Sequence, residues 1–316
     1  MKYIYIRMDL FEEVFKSQTQ NKMNKTKKKG RFKTLRCHPK QFTSKNYKKI
    51  PSSCLDDKTI KQMKNIWNKR YPDNKITSKN TKNIWKDMKQ KFKNTCSNEM
   101  CWVDKTFKNP DIQNDIKENS FAPTTPLEWK NNQNEWLSSN EIIDVMKQYE
   151  ESFTDFKFFG PSPIDFDKVM YKNRCVWPEI CNINVPNLYK MKYRKIGFIF
   201  NTDTHEKGGS HWVAMYLDLN KNHIFYFDSN GLREPHQITK LKKKIAKQCL
   251  DRLKKTIKLD SNSNFEHQRT DSECGMYCLY FIVSLLRKSH NMDFFKKKRI
   301  PDKEVEKLRN IYFNNI

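Results

Sequence analysis

Residues 267–286 read His-Gln-Arg-Thr-Asp-Ser-Glu-Cys-Gly-Met-Tyr-Cys-Leu-Tyr-Phe-Ile-Val-Ser-Leu-Leu. Met276–Leu286 is almost wholly apolar and is bounded by Gly275 and Arg287. Its length favours a buried helix over a strand. Cys274 then stands at the start of that helix. A helix N-terminus presents unpaired N–H groups and about half a positive charge. Both stabilise a thiolate, and such sites bring a cysteine pKa from about 8.5 into the range of roughly 3.5–7.5. The same N–H groups can receive an oxyanion, and Gly275 would let a substrate backbone approach closely. Taken alone, the placement leaves an inert core cysteine as the plain alternative. Cys278, one helical turn deeper, reads as core.

A thiolate nucleophile needs a base that can also protonate a leaving group, and histidine is the usual choice. His211 follows Gly208-Gly209-Ser210 and opens one of three expected strands, 196–201, 211–219 and 223–228. In the second, Val213, Met215, Leu217 and Leu219 alternate onto one face, and Asn220-Lys221-Asn222 suits a hairpin turn to the third. Asp228 ends the third strand, so pairing of the two strands would bring His211 and Asp228 out at one sheet edge. A basic amphipathic helix follows, with Leu241, Ile245, Cys249 and Leu253 spaced four apart. Lys242–Lys244, Lys254–Lys255 and Lys296–Arg299 read as solvated faces.

Upstream, Ser138 and Glu141 form a capping-box signature before a stripe of Ile142, Val145, Met146 and Tyr149. Gly160-Pro161-Ser162-Pro163 reads as the end of that region. Residues 109–126, with Pro110, Pro123 and Pro126, read as a linker. Before it, Ile60, Met63 and Trp67 form one helical stripe and Trp85, Met88 and Phe92 a second, with Tyr71-Pro72-Asp73 turning between them. The segment 21–49, rich in Lys and poor in large apolar residues, reads as a flexible basic arm. The expected organisation is therefore a basic arm at 1–50, a basic helical domain and linker at 51–125, and an α+β domain at 126–316.

The chain has 62 Lys plus Arg against 36 Asp plus Glu, a formal net charge of +26. Residues 1–125 hold 30 basic and 12 acidic side chains, net +18, leaving 32 and 24, net +8, for the rest. That asymmetry points to non-specific nucleic-acid binding through residues 1–125. No stretch reaches the roughly 18 apolar residues of a membrane helix, and the first residues lack a signal-peptide apolar region. Neither an integral membrane protein nor a secreted one is expected. Nine cysteines, odd in number and irregular in spacing, argue against a disulfide framework and for a reducing compartment. A reading from a different class is a zinc-containing nucleic-acid-binding protein, with Cys96, Cys101, Cys37 and His38 as ligands.

His211-Trp212, an Asp seventeen residues later, and Gln268 six residues before Cys274-Gly275 together resemble the Ulp1/adenain clan of cysteine proteases. The resemblance is greatest to the viral branch typified by the African swine fever virus polyprotein-processing, SUMO-1-like protease. Similar to that branch are Asn201-Thr202-Asp203 ahead of Gly-Ser-His-Trp-Val-Ala, the words quoted around Cys274, and Cys96…Glu99…Cys101. The resemblance implies a papain-like core: a central mixed sheet with the nucleophile at the N-terminus of a buried helix, preceded by a basic helical domain. It implies Cys274 as nucleophile, His211 as general base and acid, Asp228 as orienter of His211 and Gln268 as oxyanion donor. Trp212 would line a narrow slot for Gly-Gly. The viral branch carries Asn where Asp228 stands, as the deconjugating enzymes do not. The implied activity needs no metal or other cofactor. It is cleavage after Gly-Gly-like sites in a viral structural polyprotein, in the virion and host cytoplasm. Removal of ubiquitin-like modifiers is the alternative with the same chemistry.

Overall fold

The structure is a computed structural model and describes residues 32–43 and 53–316. After a single helical turn at Lys40–Thr43 come four longer helices: α1 Asp57–Arg70, α2 Thr81–Lys91, α3 Glu99–Thr106 and α4 Pro110–Ser120. Each begins after an Asp or Asn (Asp56, Asn80, Asn98, Asn109) whose side chain accepts a backbone N–H of the first turn. Ile60, Met63, Trp85, Met88 and Phe92 are buried in one apolar cluster, with Trp67 packed at its margin, as the two stripes require. Glu99 is the polar hub of this unit. Its buried carboxylate accepts from Ser53 Oγ (2.6 Å), the Cys54 N–H (2.9 Å) and Trp85 Nε1 (2.6 Å), while burial pushes its pKa up against those bonds.

Two expectations change here. Residues 109–126 are not all linker, because Pro110 sits in the first turn of α4, where a missing N–H costs nothing and its fixed φ suits the helix. Residues 32–43, assigned by composition to a flexible arm, pack into the helical unit. Leu35 and His38 are buried, Cys37 bridges to Phe121, and Gln41 Nε2 donates to the Ser120 carbonyl. The remainder of the arm, 1–31 and 44–50, lies outside the described residues.

The cysteine expectation is also corrected. Cys37 pairs with Cys54, Cys96 with Cys101 and Cys175 with Cys181, their Cα atoms 5.0, 5.5 and 6.3 Å apart. Spacing along a chain does not reveal such approaches, which the fold creates. Three thiols are free, Cys249, Cys274 and Cys278, all buried. The zinc reading loses its ligands, because Cys37, Cys96 and Cys101 are disulfide-bonded. Among the described residues no three His, Cys, Asp or Glu side chains converge as a metal would need.

The second part is a sheet covered on both faces. Helix α5, Ser139–Ser152, starts with the expected capping box, both bonds present. Strands β1 Phe156–Pro163, β2 Lys195–Asn201, β3 Trp212–Asp218 and β4 His223–Phe227 follow. Helix α6, His236–Leu253, leads to β5 Lys258–Ser261, and α7 Cys274–Arg287 and α8 Asp302–Tyr312 complete the chain. Sheet order is β1-β2-β3-β4-β5, parallel at both edges and antiparallel between, a mixed sheet. One face packs α5, α7 and α8 and the other packs α6, so Val213, Met215 and Leu217 enter one core while Ala214 and Tyr216 enter the other. The Gly-Pro-Ser-Pro word, read as the end of a region, lies inside β1. An edge strand tolerates proline because only one side must donate to a ladder. Lys242 is likewise not on a solvated face: it is buried, paired with Glu234, and donates to the Asp260 carbonyl at 3.1 Å. Among the described residues no helix is long and apolar enough to cross a membrane.

Polar ties join the two parts. Gln148 Nε2 donates to the Phe121 carbonyl (2.9 Å). Asn314 Nδ2 donates to the Arg36 and Ala122 carbonyls (2.9 and 3.0 Å), and Asn314 Oδ1 accepts the Arg36 N–H. His38 Nδ1 accepts from the Lys40 N–H, so the ring proton is on Nε2, which donates to Glu151 at 3.2 Å. Burial, with the Lys40 charge beside it, pushes the His38 pKa down to about 4.

Candidate active site

The sheet order places the end of β4 beside the start of β3, and α7 packs on β3. Cys274 therefore begins its helix where the chain leaves β4 and enters β3. His211, one residue before β3, has Nε2 2.7 Å from Asp228 Oδ1, one residue after β4. Asp228 is almost fully buried, and its Oδ1 also accepts the Asn230 N–H at 2.9 Å. The other imidazole nitrogen remains for Cys274, which acts on the same ring. Burial alone would lower the His211 pKa. The hydrogen bonds and negative charge of Asp228 and Cys274 outweigh it and raise the value to about 9. Such a partner set keeps the His211 imidazole protonated at neutral pH, beside Cys274.

Gln268 is buried in the loop that leads to Cys274, and it is tied to the residue following Asp228. Its backbone N–H donates to the Ser229 carbonyl at 2.9 Å, and Ser229 Oγ donates to Gln268 Oε1 at 2.7 Å. This bond orients the amide. Nε2 points away from Ser229 and donates to the Thr270 carbonyl, which occupies one of its two hydrogens.

Trp212 Nε1 donates to the Leu137 carbonyl at 2.8 Å, fixing the indole. A groove of about 880 Å³ runs past it, with Leu137, Ser162, Asn201, His211 and Trp212 in its wall. Gly275 is also closely packed. A Cβ there would lie 3.0 Å from Leu137 Cβ and 3.2 Å from Trp212 Cδ1, so any side chain would press on the packing behind the indole. Gly209, on the groove rim with φ +91°, has the Asn201 side chain against it. Asn201 Oδ1 accepts the Asp203 and Ser210 N–H groups and shapes the loop that delivers His211.

His211, Asp228 and Cys274 thus converge as their order suggests, with Gln268 on the adjoining loop and Trp212 in the groove wall. Sequence reasoning missed Ser229, Asn262, Glu273 and Arg309. Ser229 and Glu273 are chain neighbours of residues already singled out. Asn262, in a Ser-Asn-Ser-Asn run, carries only a loop signal, and Arg309 carries only that of a helix surface.

The profile of the Ulp1 protease family, C-terminal catalytic domain, matches residues 183–316. A protein of Acanthamoeba polyphaga mimivirus, named as a thiol protease, is 28% identical over 295 residues. The match covers 88% of this chain and 93% of that protein. The SUMO-1 cysteine protease of African swine fever virus is 27% identical over 191 residues, 56% of this chain and 67% of that one. The crystal structure of the African swine fever virus protease superposes with a TM-score of 0.63. It does so over 90% of this chain and 97% of that chain at 21% identity, a likeness of fold.

Proposed function

We propose, for a cysteine protease whose residues 183–316 belong to the Ulp1 protease family, that Cys274 is the nucleophile of an endopeptidase acting after Gly-Gly-like sites. The observation that carries this is the pairing of half-buried His211 with buried Asp228, 2.7 Å apart, set against a cysteine at the start of a buried helix. The Cys274 thiolate attacks the scissile carbonyl carbon. The Cys274 backbone N–H and the second Gln268 Nε2 hydrogen receive the oxyanion. The His211 imidazolium gives its proton to the leaving amine, and the thioester forms as the amine departs. Neutral His211 then takes a proton from water, whose oxygen attacks the thioester and releases Cys274. Asp228 keeps the ring oriented and stabilises its cation throughout.

The small-residue preference draws support from Trp212, an indole held rigid along the groove. The natural substrates we infer are viral structural polyproteins, cleaved in the virion and host cytoplasm, in keeping with the viral origin of the relatives. The test is wild type beside Cys274→Ala on a Gly-Gly-X peptide and on a SUMO conjugate. Peptide cleavage lost in Cys274→Ala is the expected result. Cleavage that survives the substitution sinks the mechanism, and cleavage of the conjugate alone moves the substrate to modified proteins.

A further inference from the structure

The ladder between β4 and β5 ends at Tyr226 and Ser261. Asp228 lies two residues further on, in a buried position where its peptide N–H and C=O still need partners. One side chain reaches both, and the carbonyl also accepts the Gly231 N–H at 2.9 Å. Asn262 Oδ1 accepts the Asp228 N–H at 2.9 Å, and Asn262 Nδ2 donates to the Asp228 carbonyl at 2.6 Å. Its backbone N–H reaches the Tyr226 carbonyl at 3.3 Å, so the amide acts as the next rung of a ladder whose strand has ended.

Asn262 is itself 1% exposed. Its second Nδ2 hydrogen goes to the Phe265 carbonyl at 3.0 Å, which holds the 262–268 loop against Gly231. At Gly231, with φ +69°, any Cβ would meet that same carbonyl at 2.8 Å. The donors of the amide are thereby committed to the loops that carry Asp228 and Gln268.

We infer that Asn262 is a positioning residue for catalysis, holding Asp228 within hydrogen-bond reach of His211 by pinning its peptide on both sides. The inference rests on the reading of Asp228 as the orienter of His211. It does not require Asn262 to touch substrate or the reacting atoms.

A kinetic cycle on the full chain with a Gly-Gly-X peptide separates positioning from general support of the fold. Asn262→Ala is expected to lower kcat by about tenfold or more with KM within about twofold. The double variant Asp228→Ala/Asn262→Ala is expected to be no slower than Asp228→Ala, because Asn262 acts through Asp228. Reductions that multiply would overturn the inference. His211 faces Asp228 and Cys274, so the alkaline limb of kcat/KM is also expected to move to lower pH in Asn262→Ala; an unmoved limb overturns it. Should Asn262→Ala not fold, Asn262→Asp keeps the acceptor and loses the donor, and the same non-additivity is required of it. An unchanged kcat in Asp228→Ala would bring down the triad reading itself, a failure distinct from that of Asn262.

Discussion

Glu273, the residue before Cys274, is wholly buried and accepts three hydrogen bonds of 2.9–3.2 Å from the guanidinium of Arg309 on α8. Arg309 also donates to the Glu135 carbonyl (2.7 Å) and stacks over Trp129 at 4.4 Å. Burial pushes the Glu273 pKa up and Arg309 opposes that. Removing one partner of a buried pair costs about 3–5 kcal/mol, whereas removing both charges costs far less. Arg309→Met is therefore expected to lose stability of that order, and Glu273→Gln/Arg309→Met to recover most of it. Urea unfolding of the two variants decides; equal losses would mean that packing on Trp129, not charge, is what Arg309 contributes.

The imidazolium of His211 sets an alkaline limit. Its pKa of about 9 lies above the roughly 6.5 of an unfolded histidine, so the pair stabilises the fold fully below about 6.5 and loses that contribution as pH rises through about 9. The leaving-group proton is lost over the same range, so kcat/KM should fall with a limb near pH 9. In Asp228→Asn the limb should shift to lower pH, since part of what raises the value is gone. A pH–rate profile with no such shift contradicts the assigned role of Asp228.

Gln268 offers a narrower test. One Nε2 hydrogen is committed to Thr270 and the other is aimed, in the proposed mechanism, at a charge that exists only during reaction. Gln268→Ala should lower kcat by about 10²–10³-fold and leave KM nearly unchanged. A rise in KM with kcat preserved would make Gln268 a substrate-binding group instead.

Acid should loosen the join between the two parts. His38 is held neutral, with a pKa near 4 in the fold against about 6.5 unfolded. Its contribution is thus present above about 6.5 and is lost as pH falls towards 4, on the order of 2–3 kcal/mol in all. Tm followed from pH 7 to pH 4 should fall more steeply in wild type than in His38→Asn. Parallel curves would show that other groups govern acid stability.

Charge on the helical unit predicts a polyanion partner. Lys58, Lys61, Lys69, Lys82, Lys86 and Lys93 are exposed on and around α1 and α2. We propose that residues 1–125 bind duplex DNA without sequence preference. The affinity should fall steeply between about 50 and 200 mM salt. Because residues 32–43 pack into the fold, the arm is best tested by deleting residues 1–31. Fluorescence anisotropy unchanged by that deletion at low salt would rule out a contribution from the arm.

What could be seen in the linear chain was what depends on near neighbours. The apolar run after Cys274, the stripes of α1 and α2, the Ser138 cap and the β3–β4 hairpin each follow from periods and caps acting over a few residues. The order of His211, Asp228, Gln268 and Cys274 was visible as well, and their family resemblance with it. The rest was set by contacts between distant segments. Pro110 and Gly160-Pro161 read as breaks, yet a helix start and a sheet edge accept them. Cys37 and Cys54 became a pair, and Lys242 found Glu234, because packing brought them within reach. Asn262 and Arg309 matter for the same reason: a side chain's partner is chosen by sheet register and helix docking, which no local spacing encodes. The chain's own order names the chemistry; the tertiary structure decides which groups hold it in place.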